Sequence, residues 1–249
     1  MRRAATPVLA ALMLAAACAS APPAPTSPVP TAAAATGEIP RDVHWVRSAA
    51  EHRALFLQTY RAATERVRDL AAGRVGGSWA VIMDADETVL DNSEYQRRIA
   101  QRGESFDIAT WNAWVREQTA DSLPGAAGFI RTVRELGGRV AIVTNRDEVV
   151  CADTRTNIER LGMRVDVVLC QAPGESGKSA RFDAVRLGHT PAGLPPLDVV
   201  MFVGDNIHDF PDGAQQLRSA APADLARFGD SWFVLPNPMY GSWERNPPR

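Results

Sequence analysis

Five short stretches of the chain are almost continuously apolar, and segments of helical character separate them. They lie downstream of Gly76-Gly77 and read SWAVIMD, RVAIVTN, VDVVLC, VVMFVGD and SWFVLPN. A strand that is exposed on one face alternates apolar and polar residues, so continuous apolarity indicates strands that are covered on both faces. The pattern therefore predicts an α/β fold with a doubly wound, mainly parallel sheet.

Helical periodicity marks the segments around these strands. Apolar residues recur at helical spacing from Val46 to Ala72, which predicts one amphipathic helix with a packing role. A second helix, read from LPGAAGFIRTVRELGG, ends at Gly137-Gly138 and leads into the second strand. Between the first strand and this helix, SEYQRRIAQRG and SFDIATWNAWVREQ predict a small helical cap over residues 92–122, inserted after the first strand.

The N-terminal segment has the layout of an export signal. Two arginines precede an apolar run that is too short for a comfortable membrane span, so residues 1–18 are predicted to be a signal peptide. Cys18 follows Leu14-Ala15-Ala16-Ala17, which resembles the lipobox of bacterial lipoproteins, where the cysteine is acylated; cleavage after Ala19 is the competing interpretation. Residues 19–40 are rich in Pro and Ala and predict an extended tether ahead of a folded domain over residues 41–249.

Charge and cysteine content restrict the partners. The chain has 27 Lys plus Arg against 29 Asp plus Glu and no basic stripe, so a nucleic-acid polymer is not expected to bind. A lipid on Cys18 would attach the protein to a membrane, as an outer membrane lipoprotein, whereas ordinary cleavage would release it into the periplasm. In an export compartment Cys151 and Cys170 form either a disulfide or two buried thiols. The sequence leaves these alternatives open, as it does a homo-oligomer.

Polar residues follow four of the apolar runs. They are Asp84, Thr144 with Asn145, Asp205, and Asn237. A single polar residue after a strand is most often a helix cap or a turn residue. In open α/β sheets, however, the ligand binds outside the carboxyl ends of the strands, so residues at four strand ends are expected to meet in one crevice.

Asp84 and Asp86 lie two positions apart where the first strand ends, a spacing that can direct both carboxyl groups to the same side. One could attack phosphorus while the other protonates the departing oxygen and later takes a proton from water. Asp205 and Asp209 arrive from another strand end, and so many carboxylates would repel one another. Oxygen-only ligands and a phosphate substrate together predict Mg²⁺ as the cofactor.

Lys178 is the single lysine of an arginine-rich chain, in the stretch QAPGESGKSA. This position is therefore expected to need a compact ammonium group, which fits between a phosphate oxygen and a carboxylate better than a planar guanidinium does. With the Thr144 hydroxyl and the backbone near Asn145, it is a candidate phosphate-binding group. The stretch also resembles a nucleotide-binding phosphate loop, but Ala172 replaces its first glycine and the pair of acids after the first strand would have no role. A P-loop NTPase is the weaker alternative.

Five motifs give the chain a family resemblance. In order they are DADETVLDNSEYQ, VTNR, GKSARF, GDNIHDF and LPNPMYGSWE. They resemble the haloacid dehalogenase superfamily and, within it, the bacterial class C acid phosphatases of the lipoprotein e 5′-nucleotidase family. The resemblance spans residues 45–246 and implies a Rossmann-like fold with Mg²⁺-dependent hydrolysis of phosphomonoesters, above all nucleoside 5′-monophosphates. Ala85, where the family usually has a larger aliphatic residue, is expected to alter packing only.

The same resemblance implies roles for individual residues. Asp84 would be the nucleophile that forms an aspartyl-phosphate, and Asp86 the general acid and base. Thr144, Asn145 and Lys178 would bind the phosphate. The Asp84 carboxylate, the Asp86 main-chain carbonyl and Asp205 would bind Mg²⁺, and Asp209 would orient metal-bound water or pair with Lys178. The base of the nucleotide would stack on Phe106, Trp111 and Tyr240.

Two further classes of protein fit part of the pattern. A non-catalytic ligand-binding lipoprotein would keep the crevice without needing Asp84 as a nucleophile. A receiver-like domain also places Asp, Thr and Lys at strand ends, but it lacks both the second Asp two positions on and the inserted cap. His208, inside GDNIHDF, is either a further group of the site or a solvated ring at a helix start.

Overall fold

The computed structural model describes residues 37–248. The predicted signal peptide, Cys18 and nearly all of the predicted tether lie outside these residues. Within the described part of the chain, no helix combines the length and apolarity needed to cross a membrane.

Helices and strands alternate along most of the described chain. The helices are α1 (Arg41–Ser48), α2 (Ala50–Ala71), α3 (Ser93–Gln101), α4 (Ile108–Glu117), α5 (Ala126–Glu135), α6 (Cys151–Arg160) and α7 (Ser179–Leu187). The strands are β1 (Trp79–Met83), β2 (Leu90–Asp91), β3 (Asp121–Ser122), β4 (Arg139–Asp147), β5 (Val167–Gln171), β6 (Asp198–Gly204) and β7 (Trp232–Val234). Short 3₁₀ segments lie at Glu148–Val150, Ile207–Asp209, Gln215–Ser219, Pro222–Leu225 and Ser242–Arg245.

The main sheet has five strands in the order β5-β4-β1-β6-β7. All four strand pairs in it are parallel, and Met83 at the end of β1 lies opposite Ile142 of β4 and Val203 of β6. Each of the five apolar runs forms one of these strands. The predicted α/β class with a parallel sheet is therefore confirmed.

Both faces of the sheet are covered, which explains why its strands read as continuously apolar. Along β1, Trp79, Val81 and Met83 point into a core formed with α2, α5 and α6. Ala80 and Ile82 point into a second core, where Phe182 and Val185 of α7 pack. Because alternate residues of the same strand enter different cores, a polar residue at any position of β1 would lose its hydration.

The helix predicted from Val46 to Ala72 is divided into two, so that prediction was wrong in detail. Ala49 has φ −79° and ψ 130°, which is extended backbone, and it separates α1 from α2. The division lets α1 contact the cap, where Arg47 donates to Ser93 Oγ at 3.1 Å and pairs with Glu94 at 3.2 Å. Periodicity alone misses such a bend because both helices keep an apolar face.

Between β1 and α5 the chain forms two helices, α3 and α4, and a two-stranded antiparallel ribbon of β2 and β3. The Asp107 side chain caps α4 by accepting from the amides of Ala109 and Thr110 at 2.9 and 3.1 Å. Arg98 of α3 binds Glu117 of α4 at 2.8 Å, and this ion pair joins the two helices. A small helical cap therefore lies where the sequence predicts one.

A disulfide joins Cys151 to Cys170. Cys151 begins α6 and Cys170 lies in β5, so the bond connects the sheet edge to the helix that precedes it in the chain. The sequence left open whether these cysteines pair, and the structure pairs them.

Candidate active site

The carboxylates of Asp84, Asp205 and Asp209 gather at the carboxyl ends of β1 and β6. One oxygen from each side chain lies within 4.8 Å of the other two. The backbone fixes this arrangement, because the Asp84 amide donates to Val203 O at 2.9 Å as β1 leaves the sheet, and the Asn206 amide donates to Asp209 Oδ2 at 2.8 Å. Asp84 and Asp209 are buried, so their mutual repulsion is little screened by water.

Lys178 lies among these acids. It is 4% exposed, immediately precedes α7, and donates from Nζ to Asp84 Oδ1 and, at 2.6 Å, to Asp209 Oδ1. Burial lowers the pKa of Lys178, but the charges of Asp209 and Asp84 outweigh burial and leave that pKa above its ordinary value. The single lysine of the chain is therefore held as a cation between two carboxylates.

One lysine does not balance three carboxylates. Burial raises the pKa of Asp84 to about 7, although Lys178 acts in the opposite direction. Burial also raises the pKa of Asp205 well above its ordinary value, and the charges of Asp209 and Asp84 add to that effect. The cluster thus carries unbalanced negative charge, and its oxygen-only donor set suits a hard divalent cation.

Asp86 lies in different surroundings, although it is two residues from Asp84. Its Oδ1 accepts from Arg146 Nε at 2.8 Å and from Asn92 Nδ2 at 2.9 Å, while Thr144 Oγ1 reaches Oδ2 at 3.3 Å. Its carboxylate is not a member of the three-acid cluster. Asp84 and Asp86 are close in sequence but have different neighbours. Asp84 lies among other carboxylates, whereas Asp86 accepts hydrogen bonds from donor side chains.

Thr144 and Asn145 are held by α7. Arg181 donates from Nη1 to the Thr144 carbonyl and from Nη2 to Asn145 Oδ1 at 2.9 Å. Arg181 lies one helical turn after Lys178, so one short segment of chain fixes the lysine and both β4 residues relative to one another.

The segment that carries Tyr240 is anchored to the end of β6. Asn237, after β7, donates to Asp205 Oδ2 at 2.8 Å, and Ser242 donates to Asn206 Oδ1 at 2.8 Å. Tyr240 lies between these two anchors and lines the acid-rich cavity. The predicted convergence of strand-end residues is thus observed for Asp84, Asp205 and Asn237, with Thr144 and Asn145 beside them.

Two cavities meet at this place. The phosphoryl cavity, as we call the smaller one, has a volume of about 210 Å³ and is lined by Asp84, Lys178, Asp205 and Asp209, among others. The aromatic cavity is larger, about 600 Å³, and is lined by Phe106, Trp111 and Tyr240 together with polar residues that include Gln96 and Glu244. Three residues line both cavities, namely Asp86, Asn145 and Tyr240.

The three aromatic residues that the sequence selected differ in exposure. Phe106 is 60% exposed, whereas Trp111 is 7% exposed and packs against Tyr95 with ring centroids 5.0 Å apart. The guanidinium of Arg146 lies 5.4 Å from the centre of the Trp111 ring. Trp111 is therefore largely a wall of the aromatic cavity, and the rings of Phe106 and Tyr240 are more accessible.

Comparison with known proteins identifies the family. A family model described as HAD superfamily, subfamily IIIB (Acid phosphatase), matches residues 9–243. The chain belongs to this family. The resemblance that the motifs indicated is confirmed, and the protein is an acid phosphatase that hydrolyses phosphomonoesters.

Two solved structures of the class C acid phosphatase from Bacillus anthracis are similar to this acid phosphatase. The first, with tungstate bound, is 31% identical with a TM-score of 0.71, and the match covers 82% of this chain and 85% of that one. The second is 30% identical with the same TM-score of 0.71 and covers 84% of this chain and 88% of that one.

Sequence reasoning missed Arg146 and Asn92, two residues of this acid phosphatase that bind Asp86. Arg146 lies in β4 two positions after Thr144, and residues two apart on a strand share a face. That spacing, within the motif VTNR, could have found it. Asn92 precedes α3 and reads as a helix cap, so no sequence pattern distinguished it from an ordinary turn residue.

The stretch QAPGESGKSA, which resembles a nucleotide-binding phosphate loop in sequence, makes contacts within the acid phosphatase. The Lys178 side chain binds carboxylates, and Glu175 pairs with Arg181 at 3.1 Å. His208 is exposed, and its Nδ1 lies 2.9 Å from Gly213 O at the rim of the phosphoryl cavity. The ring is exposed and also lines the phosphoryl cavity, so both interpretations of this residue stay predictions.

Proposed function

We propose that this acid phosphatase hydrolyses nucleoside 5′-monophosphates through an aspartyl-phosphate on Asp84, with Mg²⁺ as cofactor. The observation that carries the proposal is the position of Asp84, which follows the central strand of the sheet, binds Lys178 and lies within reach of Asp205 and Asp209. A carboxylate in such surroundings can attack a phosphoryl group while the charge of the phosphate oxygens is neutralised.

The reaction would proceed in two displacements. In the first, an Asp84 oxygen forms a bond to phosphorus, the ester P–O bond breaks, and Asp86 gives a proton to the departing alcohol. In the second, Asp86 takes a proton from water, the water oxygen bonds to phosphorus, and the Asp84–phosphorus bond breaks to release inorganic phosphate. Asp86 lines both cavities, which supports its role at the boundary between the phosphoryl group and the leaving group.

The donor set fits Mg²⁺. The groups that would hold it are the Asp84 carboxylate, the Asp86 main-chain carbonyl and Asp205, with Asp209 orienting metal-bound water. Asn237 keeps Asp205 in place through its 2.8 Å hydrogen bond. When bound, the cation would neutralise charge on the phosphate oxygens and on the carboxylate cluster.

Three residues are proposed to bind the phosphate, Asn145 through the backbone near it. They are Thr144, Asn145 and Lys178, of which the last two line the phosphoryl cavity. Tungstate, bound in one structure of the Bacillus anthracis relative, is a tetrahedral oxyanion of the same shape as phosphate. That complex supports an oxyanion site in this family, and the Lys178 ammonium gives this chain a matching charge.

The leaving group is proposed to occupy the aromatic cavity. Phe106 and Tyr240 offer accessible rings on which a nucleotide base could stack, while Trp111, with the Arg146 guanidinium 5.4 Å from its ring centre, forms part of the cavity wall. Stacking tolerates every base because each has a π-face, so we expect broad use of nucleoside 5′-monophosphates.

We also propose that the protein is exported and attached to the outer membrane by a lipid on Cys18, or released into the periplasm. The disulfide between Cys151 and Cys170 supports an oxidising compartment. Labelling with a radioactive fatty acid, compared between the wild type and Cys18→Ser, would test the anchor: label in both proteins would contradict it.

Phosphate release from 5′-AMP and from p-nitrophenyl phosphate, at mildly acidic pH, tests the catalytic proposal. We expect release in Mg²⁺, its loss in EDTA, and its return when Mg²⁺ is added in excess. Asp205→Asn should raise the Mg²⁺ concentration needed for half-maximal activity. Asp198→Asn, an exposed aspartate at the start of the same strand, is the matched control and should leave it unchanged.

Binding of 5′-AMP without turnover is an outcome that would contradict the catalytic proposal. If the wild-type protein bound 5′-AMP but released phosphate from neither ester with any divalent metal, the non-catalytic lipoprotein would become the better interpretation. Activity on p-nitrophenyl phosphate alone would keep the mechanism and overturn the nucleotide as the substrate class.

A further inference from the structure

The two oxygens of Asp86 have unequal surroundings. Oδ1 accepts hydrogen bonds from Nε of Arg146 at 2.8 Å and from Nδ2 of Asn92 at 2.9 Å, and Nη2 of Arg146 also lies 2.8 Å from it. Among the described residues, Oδ2 has one hydrogen-bond partner, Thr144 Oγ1, at the longer distance of 3.3 Å. A carboxylate oxygen that accepts two hydrogen bonds and has a further cationic nitrogen beside it has little capacity for a further proton or ligand.

Arg146 itself is immobilised. Its side chain is 1% exposed, Nη1 donates to Thr154 Oγ1 at 3.2 Å, and Nη2 also donates to Asn92 Oδ1 at 3.0 Å. One face of its guanidinium lies over Trp111. Because a buried cation is costly unless it is paired, Asp86 is also what makes the burial of Arg146 tolerable.

Asn92 connects this pair to the cap. It is the residue before α3, and its Oδ1 accepts from Trp114 Nε1 of α4 at 3.0 Å as well as from Arg146. Asn92, whose Nδ2 donates to Asp86 Oδ1, is thus held both by its place at the start of α3 and by Trp114 of α4. The orientation of the Asp86 carboxylate is therefore fixed from two directions, by β4 and by the cap.

We infer that Arg146 is a positioning residue for the reaction: with Asn92 it occupies Oδ1 of Asp86, so that Oδ2 is the oxygen that faces the substrate. The inference rests on the proposed role of Asp86 in proton transfer to the leaving group. It assigns Arg146 no contact with the phosphate, since each of its nitrogen atoms already has a partner within the protein.

Arg146→Lys tests the inference, because lysine keeps the positive charge but lacks the planar fork that binds one oxygen through two nitrogens. Proton donation matters most when the leaving alcohol is a poor leaving group. We therefore expect kcat/KM to fall about 100-fold for 5′-AMP, a loss typical of impaired acid catalysis, and to change little for p-nitrophenyl phosphate. The fall should be in kcat, with KM nearly unchanged.

The ratio of the two kcat/KM values on one sample does not depend on the fraction of folded enzyme, so partial unfolding of the variant cannot imitate the effect. Equal losses on both esters would overturn the inference and place Arg146 in phosphate binding or general stability. Wild-type activity on 5′-AMP would overturn it as well.

A double variant tests whether Arg146 acts through Asp86. If Arg146 acts through Asp86, adding Arg146→Lys to Asp86→Asn should cause no further loss on 5′-AMP, because residues that act as a unit are not additive. Losses that multiply would show that Arg146 acts independently of Asp86 and would overturn the inference. A wild-type enzyme inactive on both esters would instead contradict the proposed function itself.

Discussion

The phosphoryl cavity and the aromatic cavity share one wall and differ in almost everything else. The first is small and lined by charged side chains from the ends of β1 and β6 and from the start of α7. The second is about three times larger and is lined by rings from the cap and from the segment after β7. The contrast supports our proposal that the sheet supplies chemistry common to all phosphomonoesters, while the cap and the C-terminal segment select the alcohol.

The largest expected effect concerns Asp84, the proposed nucleophile. Asp84→Asn should lower kcat by about 10⁴-fold or more on both 5′-AMP and p-nitrophenyl phosphate, because an amide cannot replace the carboxylate that we propose attacks phosphorus. Binding of 5′-AMP, measured by calorimetry in Mg²⁺, should persist.

Asp198→Asn is the matched control for this variant, since it makes the same change on an exposed aspartate of β6. If Asp84→Asn kept a tenth of the wild-type rate on either ester, Asp84 would not be the nucleophile.

Lys178→Arg comes next. The buried site between Asp84 and Asp209 accommodates a compact ammonium, and a guanidinium would displace at least one of these carboxylates. We expect kcat/KM to fall about 10² to 10³-fold, the usual cost of losing one oxyanion-stabilising group, and to fall equally for both esters. Turnover close to that of the wild type would mean that our explanation of the single lysine is wrong.

Tyr240→Ala should distinguish the role of the aromatic cavity from that of the phosphoryl cavity. Loss of the ring should raise KM for 5′-AMP about tenfold, as expected for one base-stacking contact, and should leave KM for p-nitrophenyl phosphate nearly unchanged. Trp243→Ala is the control, because that ring is exposed in the same segment and does not line the aromatic cavity. Equal effects of Tyr240→Ala on both esters would remove the stacking role.

The smallest expected effect is on the stability of the folded protein when no metal is bound. The pKa of Asp84 is raised to about 7 in the folded protein, from an ordinary value of 3.8, so between these values the folded state binds more protons than the unfolded state. Stability should therefore fall as pH rises through this window in EDTA.

Thermal unfolding from pH 4 to pH 7 in EDTA would measure that slope. Asp84→Asn, which cannot ionise, should show a shallower decline than the wild type. Parallel curves for the two proteins would mean that the charge surplus of the phosphoryl cavity is not centred on Asp84.

The sheet was predictable because burial on both faces leaves a direct record in the sequence. Trp79 to Met83 have no polar member, and the polar residue that ends the run, Asp84, begins the site. The bend at Ala49 left no such record, since alanine is compatible with both helix and extended backbone. The pairing of Cys151 with Cys170 depends on how α6 lies against β5, which only the tertiary structure provides.

The phosphoryl cavity was also more predictable than the aromatic cavity. Asp84 and Asp205 end apolar runs and Lys178 is the single lysine, so these three residues stand out in the sequence. Arg146 is one arginine among many, and its importance arises from the pairing with Asp86 across 60 residues. Exposure separated Phe106, which precedes α4, from Trp111 within that helix, although both are aromatic residues of the cap.

The strand order has a consequence for how the molecule opens. Amide protons of the central strand β1 should exchange with solvent only on global unfolding, because β4 and β6 flank it on both sides. Strands β5 and β7 lie at the edges, but β5 is covalently attached to α6 through the disulfide, whereas β7 is a three-residue strand with one neighbour. Local opening should therefore begin at β7 and release Tyr240 first. Asp84, the proposed nucleophile, would then stay in place while the proposed contact of Tyr240 with the alcohol is already lost.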